Sequence, residues 1–193
     1  MIVAAQADLR AKPFPHATHA APLPAALCAA TLDWMENAAP WQLRIASFYE
    51  QWELHLEPGL VPVELTPLLD FKTIHHLRTL MLAPLAASRL ILTEVTAHKL
   101  VPGQTIRVHN DYLDNRETHR LLVQFNRGWE DAQGGLLMLF GSASPEDVRR
   151  ILRPVHGSAM AFPISPQSFH AVSTVRHGHR YTLVYSFNAE SAA

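Results

Sequence analysis

From Ile91 onward the chain is cut into short apolar segments by turn chemistry, and this punctuation constrains the fold more than any other feature. The segments "ILTEVTAHKL", "TIRVHNDY", "HRLLVQFN", "GGLLMLF", "SAMAFPI", "HAVSTV" and "RYTLVYSF" follow one another. Each has the length of a strand. Between them stand "VPGQ", "LDNRE", "RGWEDAQGG", "RPVHGS", "SPQS" and "RHGH", whose Gly, Pro, Asn and Asp supply turns. "SASPEDVRRILRP" is expected to interpose one short helix. Helices first and then seven or eight short strands predict an α+β fold with an antiparallel sandwich or barrel.

The helices belong to residues 1–90. Residues 1–22 read as an extended, Pro- and Ala-rich lead-in. "LPAALCAATLDWMENAAP" predicts a helix with Leu27, Leu32, Trp34 and Met35 at its apolar positions and Pro40 as its stop. "WQLRIASFYEQWELHL" reads as strand. "TPLLDFKTIHHLRTLMLAPLAASRL" is the longest helical pattern, with Thr66 as N-cap, Pro67 in the first turn and Pro84 as a kink or division. His75 and His76 fall inside it and read as surface or interhelical packing residues. The 193 residues suit a single domain, 1–193.

Bulk properties exclude several partners. A formal charge of −1 argues against a nucleic-acid face built on charge. No run of about 18 apolar residues is present, so no membrane span is expected, and "MIVAAQADLRAK" lacks the pattern of a secretory leader. Cys28 is the one cysteine, which excludes an internal disulfide and fits a reducing compartment. A soluble, cytoplasmic, globular protein is expected. Nothing in the sequence sets an oligomeric state.

Three polar groups stand out in the β region. His109 and Asp111 in "RVHNDYLDN" are two residues apart, so on a strand they leave the same face. His170 opens another apolar strand, "FHAVSTV". Two imidazoles and a carboxylate form the facial set that holds non-haem Fe(II) with coordination positions open, and a barrel interior brings distant strands to one point. A chance surface pair is the competing reading of His109 and Asp111 taken alone. Arg180 begins "RYTLVYSF", where alternation puts Arg180, Thr182, Val184 and Ser186 on one face and Tyr181, Leu183, Tyr185 and Phe187 on the other. If the apolar face packs on the helices, the first face lines the barrel, and a buried Arg there needs an anionic partner. A bound carboxylate would serve, in a bidentate geometry that Lys cannot copy. The competing reading is an Arg exposed at the strand start.

With these residues in view, the sequence resembles the Fe(II)/2-oxoglutarate-dependent dioxygenases, in the branch of the prolyl-hydroxylase-like enzymes. "HND" at 109–111, "FHAV" at 169–172 and "RYTLVYSF" at 180–187 match the family's His-x-Asp…His set and following Arg. "LLVQFNRGWEDAQGGLLMLF" resembles its strand, Trp-containing turn, Gly-Gly and strand. The resemblance runs from about Ile91 to Asn188, and less specifically through "PFPHATHAAPLPAAL". It implies a distorted double-stranded β-helix (jelly-roll) core over 91–188, with N-terminal helices packed on the major sheet and residues 1–90 supporting the substrate side. It implies Fe(II) held by His109, Asp111 and His170, with 2-oxoglutarate as cosubstrate anchored by Arg180, and O2. The enzyme would be a hydroxylase releasing succinate and CO2.

The sequence departs from the family where Phe125 stands at the expected place of a tyrosine that contacts the cosubstrate. Thr182, Ser186, Gln124 and Lys99 are the candidates to replace that contact. Related halogenases lack the metal-binding carboxylate, so Asp111 implies oxygenation. For the substrate, Arg44, Tyr49, Trp52 and His55 are possible contacts, with surface strand and core aromatics as the alternative. An amino acid, a short peptide or another small molecule would fit. A rival reading of "PGQTIRVHND…E" is a cupin, either an isomerase or an effector-binding module, and a third is a catalytically dead relative that serves as a binding partner. The spacing from Asp111 to His170 and Arg180 disfavours the cupin.

Overall fold

The computed structural model describes residues 6–86, 88–113 and 117–190. Twelve strands are labelled in chain order. They are β1 (Asp8–Arg10), β2 (His16–His19), β3 (Gln42–Ile45), β4 (Glu50–His55), β5 (Leu90–Leu100), β6 (Ile106–His109), β7 (His119–Gln124), β8 (Leu137–Phe140), β9 (Val148–Leu152), β10 (Ala159–Pro163), β11 (His170–Val172) and β12 (Arg180–Ala189). An eight-stranded sheet has the order β1-β2-β10-β7-β12-β5-β4-β3, and a four-stranded sheet the order β6-β11-β8-β9. Every pairing is antiparallel. The architecture is the expected double-stranded β-helix, with the two sheets facing one another.

β12 organises the molecule because it is apolar on one face and polar on the other, and both faces are covered. It pairs with β5 along one edge and β7 along the other, and Arg180 to Phe187 are all buried. Tyr181, Leu183, Tyr185 and Phe187 join a core that includes Leu32 and Met35 of helix α1 (Ala25–Asn37), Leu65, Leu68, Leu77, Met81 and Leu82. The helices therefore cover the outer face of the large sheet. The hydroxyl of the fully buried Tyr185 is satisfied by donating to the Leu68 carbonyl at 3.0 Å. A second core, with Phe14, Trp129, Leu139, Met160, Phe162 and Val175 among its members, fills the space between the sheets. Among the described residues no helix is long and apolar enough to cross a membrane.

Three sequence expectations change. The long helical pattern breaks into a 3-10 turn (Val63–Leu68), helix α2 (Phe71–Leu77) and a π turn (Arg78–Leu82). Leu65 and Leu68 are buried, and one straight helix would carry their face on to Lys72, His75 or His76 and Thr79. The break at Asp70, which is extended (φ −71°, ψ 142°), re-phases the chain so that Leu77, Met81 and Leu82 turn inward instead. Thr66 is consequently not a helix N-cap, and its hydroxyl donates to the Val63 carbonyl at 2.8 Å. The short helix expected in "SASPEDVRRILRP" is strand β9, because pairing with β8 places Arg150 opposite Leu139 and Leu152 opposite Leu137. The stretch read as one strand at 41–56 is the hairpin β3–β4, closed by an Ala46 N–H to Tyr49 carbonyl bond of 2.9 Å. His76 bonds the Pro22 carbonyl and His75 stacks on Phe71, so both are packing residues.

Candidate active site

His109 ends β6 and His170 begins β11, and the register sets them directly opposite each other across the strand pair. Their rings lie 4.2 Å apart between centroids. Phe48 packs on His109 at 4.5 Å and Phe162 meets His170 edge-on at 5.1 Å, so both imidazoles are held by aromatic neighbours. The Nδ1 of His109 bonds the Arg107 carbonyl and that of His170 the Ser168 carbonyl, each at 2.8 Å. A carbonyl only accepts, so both Nδ1 atoms carry the proton and both Nε2 atoms present lone pairs.

Asp111 reaches the same point by a route the sequence reading did not anticipate. It lies beyond the end of β6, and its φ of +58° is left-handed, a conformation that non-glycine residues adopt mainly as Asn or Asp. The bend is held by Asn110, whose Oδ1 accepts from the Tyr112 N–H at 3.1 Å and whose carbonyl accepts from the Ser168 hydroxyl at 2.9 Å. The carboxylate then sits with Oδ1 3.3 Å from His109 Nε2 and Oδ2 3.3 Å from His170 Nε2. The three donor atoms lie within 4.8 Å of one another. Lone pairs facing carboxylate oxygens repel unless a cation stands between them, so this donor set fits a divalent metal.

Arg120 on β7, not foreseen from the sequence, donates to Asp111 Oδ2 at 2.8 Å and also pairs with Glu117. Burial opposes ionisation of Asp111, yet the Arg120 guanidinium beside it outweighs this and the carboxyl lies well below its usual range. Burial and the neighbouring His109 keep His170 below the ordinary imidazole value, which favours the neutral ligand form.

Facing this group across a cavity of about 630 Å³ is Arg180. It is 4% exposed, no carboxylate pairs with it among the described residues, and its Nε has no partner. Burial lowers it to about 10, so it is still cationic at neutral pH. One guanidinium N–H donates to Thr182 Oγ1 at 2.7 Å, and Thr182 donates in turn to Gln124 Oε1 at 2.9 Å. Thr182 lines the cavity, whereas Gln124 stands behind it and fixes the hydroxyl.

The other expected contacts divide by strand parity. Arg44, Tyr49 and His55 line the cavity. Lys99 and Trp52 do not: they are paired across β4 and β5 on the opposite face, where the ammonium lies over Trp41 and Trp52 at 5.6 and 5.3 Å. Lys99 is therefore no candidate for the cosubstrate, nor Trp52 for the substrate. Ser186 shares the face of Arg180 and lies between Arg120 and Glu94, which line the cavity, but it is not itself a lining residue. Phe125 turns into the helix-side core, so it does not occupy the position assigned to it.

His98 was missed. One register row runs Gln42, Glu53, His98, Thr182, Gln124 across five strands, so His98 faces the cavity between Glu53 and Thr182. Burial lowers it to about 4, and the ring is neutral. Alternation along "ILTEVTAHKL", which gives Glu94, Thr96 and His98 a common face, was the signal that could have found it.

The model of the 2OG-Fe(II) oxygenase superfamily matches residues 95–187. No curated protein sequence matches the chain. Among solved structures, a Pseudomonas putida prolyl-4-hydroxylase is similar with a TM-score of 0.71 and 19% identity over 91% of this chain and 93% of its own. A collagen prolyl hydroxylase of Paramecium bursaria Chlorella virus-1 gives 0.65 and 15% over 91% and 96%. HygX of Streptomyces hygroscopicus, solved with nickel and 2-oxoglutarate, gives 0.62 and 11% over 90% and 82%. The matched segment holds all three metal-ligand candidates and Arg180, so residues 95–187 carry the pattern of the 2OG-Fe(II) oxygenases, whose dioxygenases use Fe(II), 2-oxoglutarate and O2, within a fold shared with these solved structures.

Proposed function

We propose that the protein is a hydroxylase acting on a C–H bond of an amino acid, a short peptide or another small molecule, with succinate and CO2 as coproducts. The observation that carries this reading is the buried Arg180, unpaired with any described carboxylate, on the same cavity as the His-Asp-His cluster. His109, Asp111 and His170 would hold the iron, and Arg180 with Thr182 the distal carboxylate of 2-oxoglutarate. When bound, iron and cosubstrate supply the oxidising chemistry of O2. The chain's part is positional. Backbone bonds fix both imidazole tautomers, and Arg120 fixes the carboxylate.

The test is metal and cosubstrate binding. The purified protein is expected to bind one Fe(II) per chain, and 2-oxoglutarate to raise its melting temperature only with metal present. His170→Ala should lose the metal while keeping its circular dichroism spectrum, and stoichiometric iron in that variant would remove the assignment. A metal-loaded protein indifferent to 2-oxoglutarate would favour the cupin-like alternative.

A further inference from the structure

The cavity wall that faces the histidines is polar, and β4 builds most of it. Gln51, Glu53 and His55 point inward, while Trp52 turns to the opposite face. Gln51 is only 2% exposed, and its Nε2 donates to Glu53 Oε1 at 2.8 Å. That leaves Gln51 Oε1 as a buried acceptor with no partner among the described residues. Buried carbonyl oxygens in native proteins are rarely left so, and each such exception calls for a missing partner. Beside it, Glu53 Oε2 meets Arg44 Nε at 3.6 Å, beyond hydrogen-bond range. Arg44 reaches in from the edge strand β3 and its side chain is 68% exposed. Two inward acceptors thus stand side by side, the Gln51 oxygen with no donor among the described residues and the Glu53 carboxylate with Gln51 Nε2 and the Tyr49 hydroxyl as neighbours. A loosely held guanidinium waits at the cavity mouth. The missing ligand must bring N–H donors and positive charge to the inner pair, and it gains from an anionic group where Arg44 stands.

We propose that the substrate is a free α-amino acid. Its ammonium group is held by Glu53 and the Gln51 carbonyl oxygen, and its carboxylate is met by Arg44. This rests on the oxygenase reading above and narrows it: a residue within a peptide chain has no ammonium group to offer. Tyr49, half-buried at the same wall, borders the site.

The experiment uses the full chain loaded with Mn(II), which takes the place of Fe(II) without turnover, and saturating 2-oxoglutarate. Each protein-forming L-amino acid, its Nα-acetyl derivative and Nα-acetylated dipeptides are titrated by calorimetry. At least one free amino acid should bind, and acetylating its nitrogen should weaken binding about ten-fold or more, the size expected for losing a charge-assisted hydrogen bond. Glu53→Gln and Gln51→Leu should each weaken the free amino acid by a similar factor and leave the acetylated one unaffected. Should Glu53→Gln fail to fold, Gln51→Leu and the acetylation comparison on the wild-type chain still decide. Equal or tighter binding of blocked compounds, no binding of any free amino acid, or unchanged affinity in folded variants overturns the proposal. Binding of 2-oxoglutarate is measured first. Its loss removes the oxygenase reading, whereas its presence without amino-acid binding removes this inference alone.

Discussion

Single residues divide by whether their role depends on partners distant in sequence. His109, His170 and Arg180 were legible because each sits at the end of a strand whose alternation fixes its face. Asp111 was reached for the wrong reason, since it leaves the strand and returns through a left-handed bend. Arg120 was not legible, because its pairing with Asp111 depends on the fold and no spacing announces it. Lys99 was misplaced because parity within β5 cannot be tied to Arg180 until the register, Lys99 opposite Tyr181, is known. Two predictions belong at this scale. Breaking a buried charged pair costs about 3–5 kcal/mol, so Arg180→Met should raise the dissociation constant for 2-oxoglutarate roughly a hundred-fold or more. Metal binding should persist, and an unchanged constant would place the cosubstrate elsewhere. His98 gives a pH dependence. Its folded value of about 4 lies below the ordinary 6.5, so the unfolded chain takes up the proton first as pH falls. The stability tied to neutral His98 is therefore complete above about pH 6.5 and lost as pH drops towards 4. Part of the ring faces the cavity, so the loss should be on the order of 1–3 kcal/mol. Urea unfolding of wild type and His98→Gln between pH 7 and 4.5 measures it, and parallel slopes would show that His98 is not held neutral.

At the scale of elements, strands were easier to read than helices. Strands β5 to β8 and β10 to β12 announce themselves through alternation and turn residues, and β12 reads correctly because its two faces differ in kind. The segment from 63 to 82 failed because its apolar residues suit helical spacing in two phases that one straight helix cannot serve. β9 failed because its strand state comes from pairing with β8. The "GG" of the Trp-containing turn shows how a short motif can bind elements together. Gly134, with φ +67°, bridges to Val175 in the turn between β11 and β12, and its carbonyl accepts from the Trp129 indole at 2.9 Å. A Cβ there would stand 2.0 Å from the Thr174 carbonyl oxygen, a backbone atom that cannot step aside without moving the turn. Gly134→Ala should therefore destabilise the protein by at least about 2–3 kcal/mol through forced backbone strain, measured by denaturant unfolding. It should also weaken 2-oxoglutarate binding, because the turn leads into Arg180. A variant of wild-type stability would mean that the loop is not seated as described.

Across the whole molecule, the two sheets contribute different parts of one reaction. The four-stranded sheet brings the histidines, the eight-stranded sheet brings Arg180 and Thr182, and Asp111 arrives on the loop between β6 and β7. Closing one sheet over the other assembles the cavity, so the type of oxygenation follows from what that closure leaves vacant. Asp111 would take the ligand position that a halide needs, and Arg120 fixes its carboxylate in front of both histidines. Its negative charge also removes the electrostatic reason for a halide to enter. His109, Asp111 and His170 would hold the metal and Arg180 the cosubstrate, which together would supply the chemistry of O2. The product is therefore expected to be the substrate plus one oxygen atom, drawn at least in part from O2. Turnover under labelled O2 with saturating chloride, followed by mass spectrometry, checks both points. A chlorinated product from the unaltered enzyme would overturn the assignment of Asp111 as a ligand. A desaturated or ring-closed product would keep the metal and cosubstrate sites and reject hydroxylation alone.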